Sequence, residues 1–342
     1  MKRVMYLTLL FIFVFLSICL PFSAAASPDG TLVSFTVQAV IPHNQIDHSL
    51  TYFDLLMTPS EKQDLRVKIS NSGPEAVDVL ISLNYATTNV NGIIDYSVND
   101  PELKDASLKY PLPSIAALSA SELTIPPNST VPVTVTVTMP EEKFDGVILG
   151  SLRVQQAPSA VRPDQEGVGI NNAFAYMVSI QLRENDVPVA PELDLLSVGP
   201  SQVNDRTAVV ANIQNKEANI TRKLTVAGEV YERGSAVALY TASKDNVTMA
   251  PNSNFDFSID WEGESIRPGA YRLHLTARNM DGSWEWDEPF TITATDIAGI
   301  NQEAAGITDH NYTAWYISGG ILFLTLFSWI LFLSFRRERS GR

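Results

Sequence analysis

The sequence predicts an all-β protein of two β-sandwich domains, with an export signal before them and one membrane-spanning helix after them. The first observation is that apolar residues recur at every second position along most of the chain, the spacing that puts them on one face of a strand. The second is that turn residues separate these runs, with no convincing amphipathic helix between them. The third is an uncharged stretch, Trp315 to Phe335, about as long as a helix that crosses a ~30 Å hydrocarbon layer.

The N-terminal segment has the features of a secretory signal peptide. Lys2 and Arg3 precede an apolar run, and Ala24-Ala25-Ala26 has the small-residue form of a cleavage site, so residues 1–26 are assigned to the signal. The alternatives are an uncleaved anchor, which Pro21 disfavours, and lipidation at Cys19, whose flanking residues fit a lipoprotein motif poorly. Cys19 is the single cysteine, so the mature chain has no disulfide and must be stabilised by hydrophobic cores.

The first sandwich is predicted over residues 31–156. Asn91-Gly92 predicts a hairpin, because both residues tolerate the positive φ of a type I′ turn, and Asp145-Gly146 predicts a turn into the next strand. About seven strands in this span are typical of a β-sandwich. The alternating apolar positions are Phe35, Val37, Ala39 and Ile41; Leu65, Val67 and Ile69; Val77, Val79, Ile81, Leu83 and Tyr85; and Val131, Val133, Val135 and Val137.

The second sandwich is predicted over residues 167–296, after a segment at 157–172 that is rich in proline and glycine. The strand from Phe174 to Leu182 can also complete the first sandwich, in which case the boundary lies at Pro188 to Pro191. Asp281-Gly282 predicts the last hairpin. The alternating apolar positions are Val209, Ala211 and Ile213; Leu224, Val226 and Val230; Phe255, Phe257, Ile259 and Trp261; Tyr271, Leu273, Leu275 and Ala277; and Trp284, Trp286, Phe290 and Ile292.

The C-terminal part predicts a single membrane anchor. Residues 297–313 are small and polar and form a stalk, residues 314–335 form the transmembrane helix, and the arginine-rich residues 336–342 form a tail. By the positive-inside rule the tail is cytoplasmic. Both sandwiches are therefore expected outside the cell membrane, at the cell surface.

The net charge limits the classes of partner. The chain carries a formal charge of -14, to which the signal peptide contributes +2 and the tail +3, so the part between them carries about -19. Such an acidic exterior repels nucleic acid and anionic lipid, so neither is expected as a partner. Solubility outside the cell explains the acidity more simply than an acidic recognition patch does.

A set of short motifs, in their order and spacing, resembles the WxL-interacting proteins of Gram-positive bacterial surfaces. The motifs are Asn44-Gln45, Tyr52-Phe53-Asp54-Leu55, Gln63-Asp64-Leu65, Asn91-Gly92-Ile93, Asp105-Ala106-Ser107-Leu108, Phe144-Asp145-Gly146-Val147 and Pro191-Glu192-Leu193. The resemblance covers nearly the whole chain. One departure is Pro59-Ser60, where the family often has Pro-Gly; it concerns loop geometry.

The resemblance implies a fold and a function. It implies two immunoglobulin-like β-sandwich domains on one membrane anchor, the first binding peptidoglycan and the second binding host surface or matrix components. It also implies that the protein works beside WxL-domain cell-wall proteins.

Four residues between the first strands are candidate ligand contacts. Asn44, Gln45, Tyr52 and Asp54 combine amides, an aromatic ring and a carboxylate, a set that suits sugar hydroxyls and peptide amides. The alternative is that Asn44 and Asp54 bond their own loop backbone, as such residues do in turns. In the second domain Trp284 and Trp286 can stack on sugars, but their spacing with Phe290 favours a core stripe.

No catalytic or metal site is expected. Glu141, Glu142 and Asp145 lie in one turn, whereas catalytic carboxylates usually face a cleft from separate elements. His43, Asp47 and His48 have no third histidine or cysteine nearby, while His274 lies on the polar face of its strand and His310 in the stalk. We therefore expect a protein without catalytic activity, cofactor or bound metal.

Two functional hypotheses from different classes follow. In the first, a membrane-anchored binding protein contacts peptidoglycan with its first sandwich and exposes the second to a protein or host surface. In the alternative, the chain is a scaffold whose sheet edges accept a strand from a WxL protein, without sugar recognition.

Overall fold

The computed structural model describes residues 35–97, 99–158, 174–262, 264–298 and 300. The signal peptide, transmembrane helix and tail expected from the sequence lie outside these ranges, as do Cys19 and His310. Within the described ranges, no helix is both long enough and apolar enough to cross a bilayer.

The first sandwich consists of a four-stranded sheet, a five-stranded sheet and a small hairpin. A 3₁₀ turn at Pro101–Leu103 and the short helix α1, Leu112–Ile115, connect the hairpin to later strands. The strands are β1 Phe35–Val40, β2 Phe53–Leu56, β3 Lys62–Asn71, β4 Val77–Tyr85, β5 Thr87–Thr88, β6 Ile94–Asp95, β7 Ala116–Leu118, β8 Glu122–Ile125, β9 Ser129–Thr138, β10 Ile148–Gln156 and β11 Ala175–Arg183. The sheet orders are β1-β3-β9-β7 and β2-β11-β10-β4-β8, and β5 pairs with β6.

Alternation of apolar and polar residues explains why these segments pair as strands with one buried face. In β3, Leu65, Val67 and Ile69 are buried while Arg66 and Lys68 are exposed. The strand pairs with β9 in an uninterrupted antiparallel register, so the valines of β9 extend the same apolar face. Phe35 of β1 meets Tyr176 of β11 edge to face, with ring centroids 5.2 Å apart, which joins the two sheets across the core.

Strand β11 belongs to the first sandwich. It pairs antiparallel with β10 from Ile148↔Leu182 to Gln155↔Ala175 and parallel with β2, so it is an inner strand of the five-stranded sheet. The boundary expected at residue 167 therefore does not coincide with the edge of the sheets. The alternative boundary, at Pro188 to Pro191, lies in the connection 184–192, where the chain passes to the second sandwich. The alternation of apolar and polar residues in a strand does not specify which strand it pairs with. The sequence alone therefore allowed both positions of the domain boundary.

The second sandwich has a three-stranded and a four-stranded sheet around one core. The sheet orders are β12-β13-β16 and β15-β14-β17-β18, and the short helix α2, Ala294–Ile297, closes the described fold. The strands are β12 Leu193–Val203, β13 Arg206–Asn215, β14 Thr221–Glu232, β15 Ala238–Met249, β16 Ser253–Asp260, β17 Gly269–Arg278 and β18 Ser283–Ile292.

The core of the second sandwich agrees with the alternation read from the sequence. Phe255, Phe257 and Ile259 of β16 are buried against Leu273 and Leu275 of β17, from the facing sheet. Trp284 and Trp286 are half-buried and pack against this core, as expected for a core stripe. The all-β architecture is therefore consistent with the two immunoglobulin-like sandwiches that the resemblance implies.

The hairpin at Asn91-Gly92 forms, but with a longer turn than a type I′ turn. β5 and β6 pair through Thr87↔Asp95 and Thr88↔Ile94, so residues 89–93 make the loop. Only Gly92 of the two has positive φ, at 70°. The Asn89 side chain explains the difference, because its Oδ1 accepts hydrogen bonds from the N–H groups of Asn91 and Ile93 at 2.9 and 3.3 Å.

Candidate functional site

Two of the four candidate ligand residues, Gln45 and Asp54, are buried and engaged within the first sandwich. Gln45 donates to the carbonyls of Asp47 and Tyr52 at 3.1 and 2.9 Å, and its Oε1 accepts from the Asp54 N–H at 3.0 Å. The Asp54 carboxylate accepts from Gln181 and Arg183, both at 2.9 Å. Gln45 therefore holds together the segment before β2, and Asp54 ties β2 to β11, which leaves both residues little capacity for a ligand.

The other two candidates, Asn44 and Tyr52, are half-buried. Asn44 exchanges two hydrogen bonds of 2.9 Å with Gln63 and donates to the Leu56 carbonyl at 3.2 Å. Tyr52 lies within electrostatic range of Tyr96, and Tyr96 packs in an apolar cluster that contains residues of both sandwiches. Of the four, Tyr52 alone has a side chain for which no hydrogen bond to a described residue is seen.

The acidic residues of one turn point to different partners. Glu142 pairs with Lys109 at 2.5 Å, and the lysine lies over the Tyr110 ring. The hydrogen bond to Lys109 lowers the pKa of Glu142. Asp145 instead accepts from Asn185 at 2.9 Å. These carboxylates are therefore used in separate surface contacts.

One three-residue cluster has the ligand types of a metal site. His274, Glu285 and Asp287 offer ligand atoms within 4.8 Å of one another on the outer face of β17 and β18. Asp287 also forms an ion pair with Arg272, which holds the pKa of Asp287 below its usual range. This grouping was not predicted from the sequence. The Asp281-Gly282 hairpin could have indicated it, because the register of that hairpin sets His274 opposite Asp287. His43, Asp47 and His48 form no such cluster within the described ranges.

The β5–β6 hairpin makes the first of three groups of polar contacts between the sandwiches. The Thr88 hydroxyl lies 2.6 Å from the Ser253 hydroxyl and accepts the Ala250 N–H at 2.9 Å, both buried. The Gly92 carbonyl accepts the Thr248 N–H at 2.8 Å. A small apolar cluster lies beside these bonds and combines residues of both sandwiches: Ala86, Leu149 and Ala250 with Ile94, Tyr96, Val147 and Ile220.

Asp105 is the centre of a second group of contacts, which we call the Asp105 hub. Its carboxylate accepts from the Ser107 N–H and hydroxyl at 2.8 and 2.6 Å, from Gln214 at 2.8 Å and from Asn254 at 2.5 Å. Gln214 and Asn254 belong to β13 and β16, so a first-sandwich loop is tied to a second-sandwich sheet. Burial works to raise the pKa of Asp105, but the hydrogen bonds from Ser107, Asn254 and Gln214 outweigh it and lower that pKa.

Gly146 makes the third contact between the sandwiches. The neighbouring Val147 N–H donates to the Ala218 carbonyl at 2.7 Å. Gly146 has φ 101°, and a Cβ there would lie 2.2 Å from the Ala218 oxygen. The close approach of the two backbones therefore requires glycine.

Beside this contact is a cavity of about 300 Å³, which we call the interdomain cleft. β11 and the connection 184–192 form one wall, and residues 218–222 of the second sandwich form the other. Its polar lining residues are Gln181, Arg183, Asn185, Asp186, Asn219 and Arg222. The cleft thus lies where both sandwiches contribute side chains.

Comparison with known families assigns both sandwiches. Residues 35–156 match the peptidoglycan binding domain of the WxL Interacting Protein, and residues 165–302 match its host binding domain. The chain belongs to the WxL-interacting protein family. The host binding match begins before β11, so in this WxL-interacting protein the match boundary and the sheet boundary differ by one strand.

Other comparisons add no functional information. Comparison with curated proteins finds no match. Among solved structures, the YadV chaperone is 13% identical over 75% of this chain and 100% of its own, with TM-score 0.29. A Salmonella enterica SafA pilin–SafB chaperone complex is 11% identical over 76% and 96%, with TM-score 0.29, and a PapD-like domain of human CEP192 is 11% identical over 49% and 99%, with TM-score 0.28. With TM-scores this low, these similarities carry no conclusion about the WxL-interacting protein.

Proposed function

We propose that this WxL-interacting protein is a non-enzymatic cell-surface protein, anchored in the membrane by residues 314–335, that binds peptidoglycan and holds a second sandwich out to a partner. The partner is a host surface or matrix component or a WxL-domain cell-wall protein. The observation that carries the proposal is the match of one sandwich to a peptidoglycan binding domain and of the next to a host binding domain.

The contacts between the sandwiches support a cooperative use of the two domains. Inter-domain interfaces often allow relative motion. Here, hydrogen bonds at Thr88, Asp105 and Val147 join the domains at three places. A sandwich held in this way keeps a constant direction with respect to the cell wall, which suits the presentation of a binding surface.

The end of the second sandwich away from these contacts supports the idea of a presented surface. β14 runs from Thr221, near the junction, to Glu232 at the opposite end, where a hairpin leads into β15. That hairpin exposes Val237 and Leu239, at 75% and 42% of their full surface. Exposed aliphatic side chains at a domain tip are suited to contact with a protein partner.

Retention on purified cell-wall sacculi tests the proposal. We expect the full chain, solubilised in mild detergent, to sediment with bare sacculi and to be released when a muramidase digests the glycan. The control is the same experiment with heat-unfolded protein, which should stay in the supernatant. Retention only on sacculi loaded with a WxL protein would contradict direct peptidoglycan binding.

That contrary result would instead support the scaffold hypothesis, for which β1 provides a specific observation. Among the described residues, β1 pairs with β3 alone, so it is a sheet edge. The strand has neither charge nor proline, the features that usually protect edges, and Val40 is 39% exposed. A strand from a WxL protein can add to such an edge through main-chain hydrogen bonds.

A further inference from the structure

The interdomain cleft has a cation with no ion-pair partner in an otherwise acidic protein. Arg222 is exposed, follows the first residue of β14, and forms no ion pair with any described residue. Burial raises the pKa of the nearby Tyr96 phenol, whereas the charge of Arg222 works in the opposite direction, so the two groups are electrostatically coupled. A chain of formal charge -14 offers many carboxylates, yet within the described ranges none is paired with this guanidinium.

Arg183 adds a second guanidinium from the opposite wall of the cleft. One nitrogen donates to Asp54 at 2.9 Å, and another lies 3.8 Å from the exposed Asp186, beyond hydrogen-bond distance. Its buried Nε has no hydrogen-bond partner among the described residues. Arg183 is therefore held in place by Asp54 while part of its donor capacity remains unused.

The rest of the cleft suits the end of a peptide. Gln181 donates its Nε2 to Asp54 at 2.9 Å, which orients the side chain and leaves its Oε1 as an acceptor with no described partner. Val187, Val189 and Ile220 supply apolar surface beside these polar groups. A volume of about 300 Å³ is at the lower limit of small-ligand pockets, so it accommodates a terminal residue or two and not a glycan chain.

We propose that the interdomain cleft binds the free carboxylate of a peptide, with Arg222 and Arg183 contacting the carboxylate and the Gln181 Oε1 accepting a peptide N–H. Guanidinium groups match carboxylates in charge and planar geometry, and small apolar side chains such as alanine fit the aliphatic walls. The cell-wall stem peptide has this chemistry. In naming that peptide as the ligand, the inference rests on the proposed function.

Binding of a defined peptide tests the cleft separately from retention on sacculi. The probe is acetyl-lysyl-D-alanyl-D-alanine, compared with its C-terminal amide, titrated calorimetrically into the full chain in detergent. We expect the acid to bind and the amide to bind at least about tenfold more weakly, because the amide lacks the charge that strengthens a hydrogen bond from a guanidinium group. Arg222→Gln should weaken binding of the acid by a similar factor, and Arg222→Lys by less.

Arg233→Gln is the matched control, since Arg233 is an exposed arginine at the far end of the same sandwich. It should leave peptide affinity and melting temperature unchanged. Equal affinity for the acid and the amide, or unchanged affinity in Arg222→Gln, would overturn the cleft assignment even if the protein still sediments with sacculi. Conversely, if the protein binds the peptide acid but does not sediment with sacculi, the assignment of the cleft as a carboxylate site is supported and the proposed function is contradicted.

Discussion

Replacing Gly146 with alanine is expected to destabilise the protein by roughly 3 kcal/mol or more, because two costs combine at this position. Alanine strongly disfavours the φ of 101° that Gly146 adopts. Its Cβ would also lie 2.2 Å from the Ala218 oxygen and 2.8 Å from the Ala218 Cβ, so the second sandwich must move away. The measurement is thermal unfolding followed by circular dichroism.

Gly199→Ala is the control for that substitution. Gly199 lies in β12 of the second sandwich, where a Cβ would have no heavy atom within 4 Å and where φ is not positive. We expect its melting temperature to stay within a degree or two of the wild type, as for ordinary surface changes of about 0.5 kcal/mol. Equal melting temperatures for the two variants would mean that the sandwiches do not approach each other at Gly146.

The Asp105→Ala variant is expected to lose about 3 kcal/mol of stability. The substitution leaves the half-buried amides of Gln214 and Asn254 without their acceptor; an unsatisfied donor costs ~1–3 kcal/mol when buried, so two partly buried donors together cost about 3 kcal/mol. Because these amides belong to the second sandwich, the loss should be accompanied by loosening between the domains. Urea unfolding together with limited proteolysis of the connection 184–192 measures both effects.

Asp64→Ala is the comparison, because Asp64 accepts a hydrogen bond from Thr136 at 2.7 Å on an exposed sheet surface. Its loss should change stability by less than about 1 kcal/mol. If Asp105→Ala is no more destabilising than this variant, the Asp105 hub does not stabilise the arrangement of the domains.

The stability that Asp105 contributes is expected to disappear in acid. Its pKa is lower in the folded protein than in the unfolded chain, so its contribution is complete above the unfolded value of about 3.9 and is lost as pH falls through the folded value. The difference in unfolding free energy between wild type and Asp105→Ala should therefore be constant near pH 6 and shrink below about pH 4. A difference that grows on acidification would contradict a lowered pKa.

Most of the strands could be predicted, because the alternation of apolar and polar residues depends only on neighbouring positions in the sequence. Phe255, Phe257 and Ile259 are buried, with Asp256 and Ser258 between them less so, as their spacing indicates. The place of β11 could not be predicted, because pairing between β11, β10 and β2 depends on contacts distant in sequence. The turn at Gly146 was predicted, and its positive φ agrees with that prediction.

The contacts between the domains could not be predicted from the sequence, because they too join residues that are distant along the chain. Asp105 and Ser107 have the spacing of a local turn, and that turn forms. Nothing in the sequence relates Asp105 to Gln214 or Asn254, more than 100 residues away. Likewise, Asn44, Gln45 and Asp54 have the residue types of a ligand site, but only the folded chain determines that their partners are internal.

The central claim is that the two binding domains are held in one fixed arrangement, and a distance distribution between them tests it most directly. The single cysteine, Cys19, can be changed to serine, so spin labels can be placed on Lys68→Cys and Thr241→Cys, both on strands at the protein surface. Pulsed electron paramagnetic resonance should give one narrow distance distribution, which broadens when Gly146→Ala is added. A broad distribution in the protein that retains Gly146 would contradict the claim.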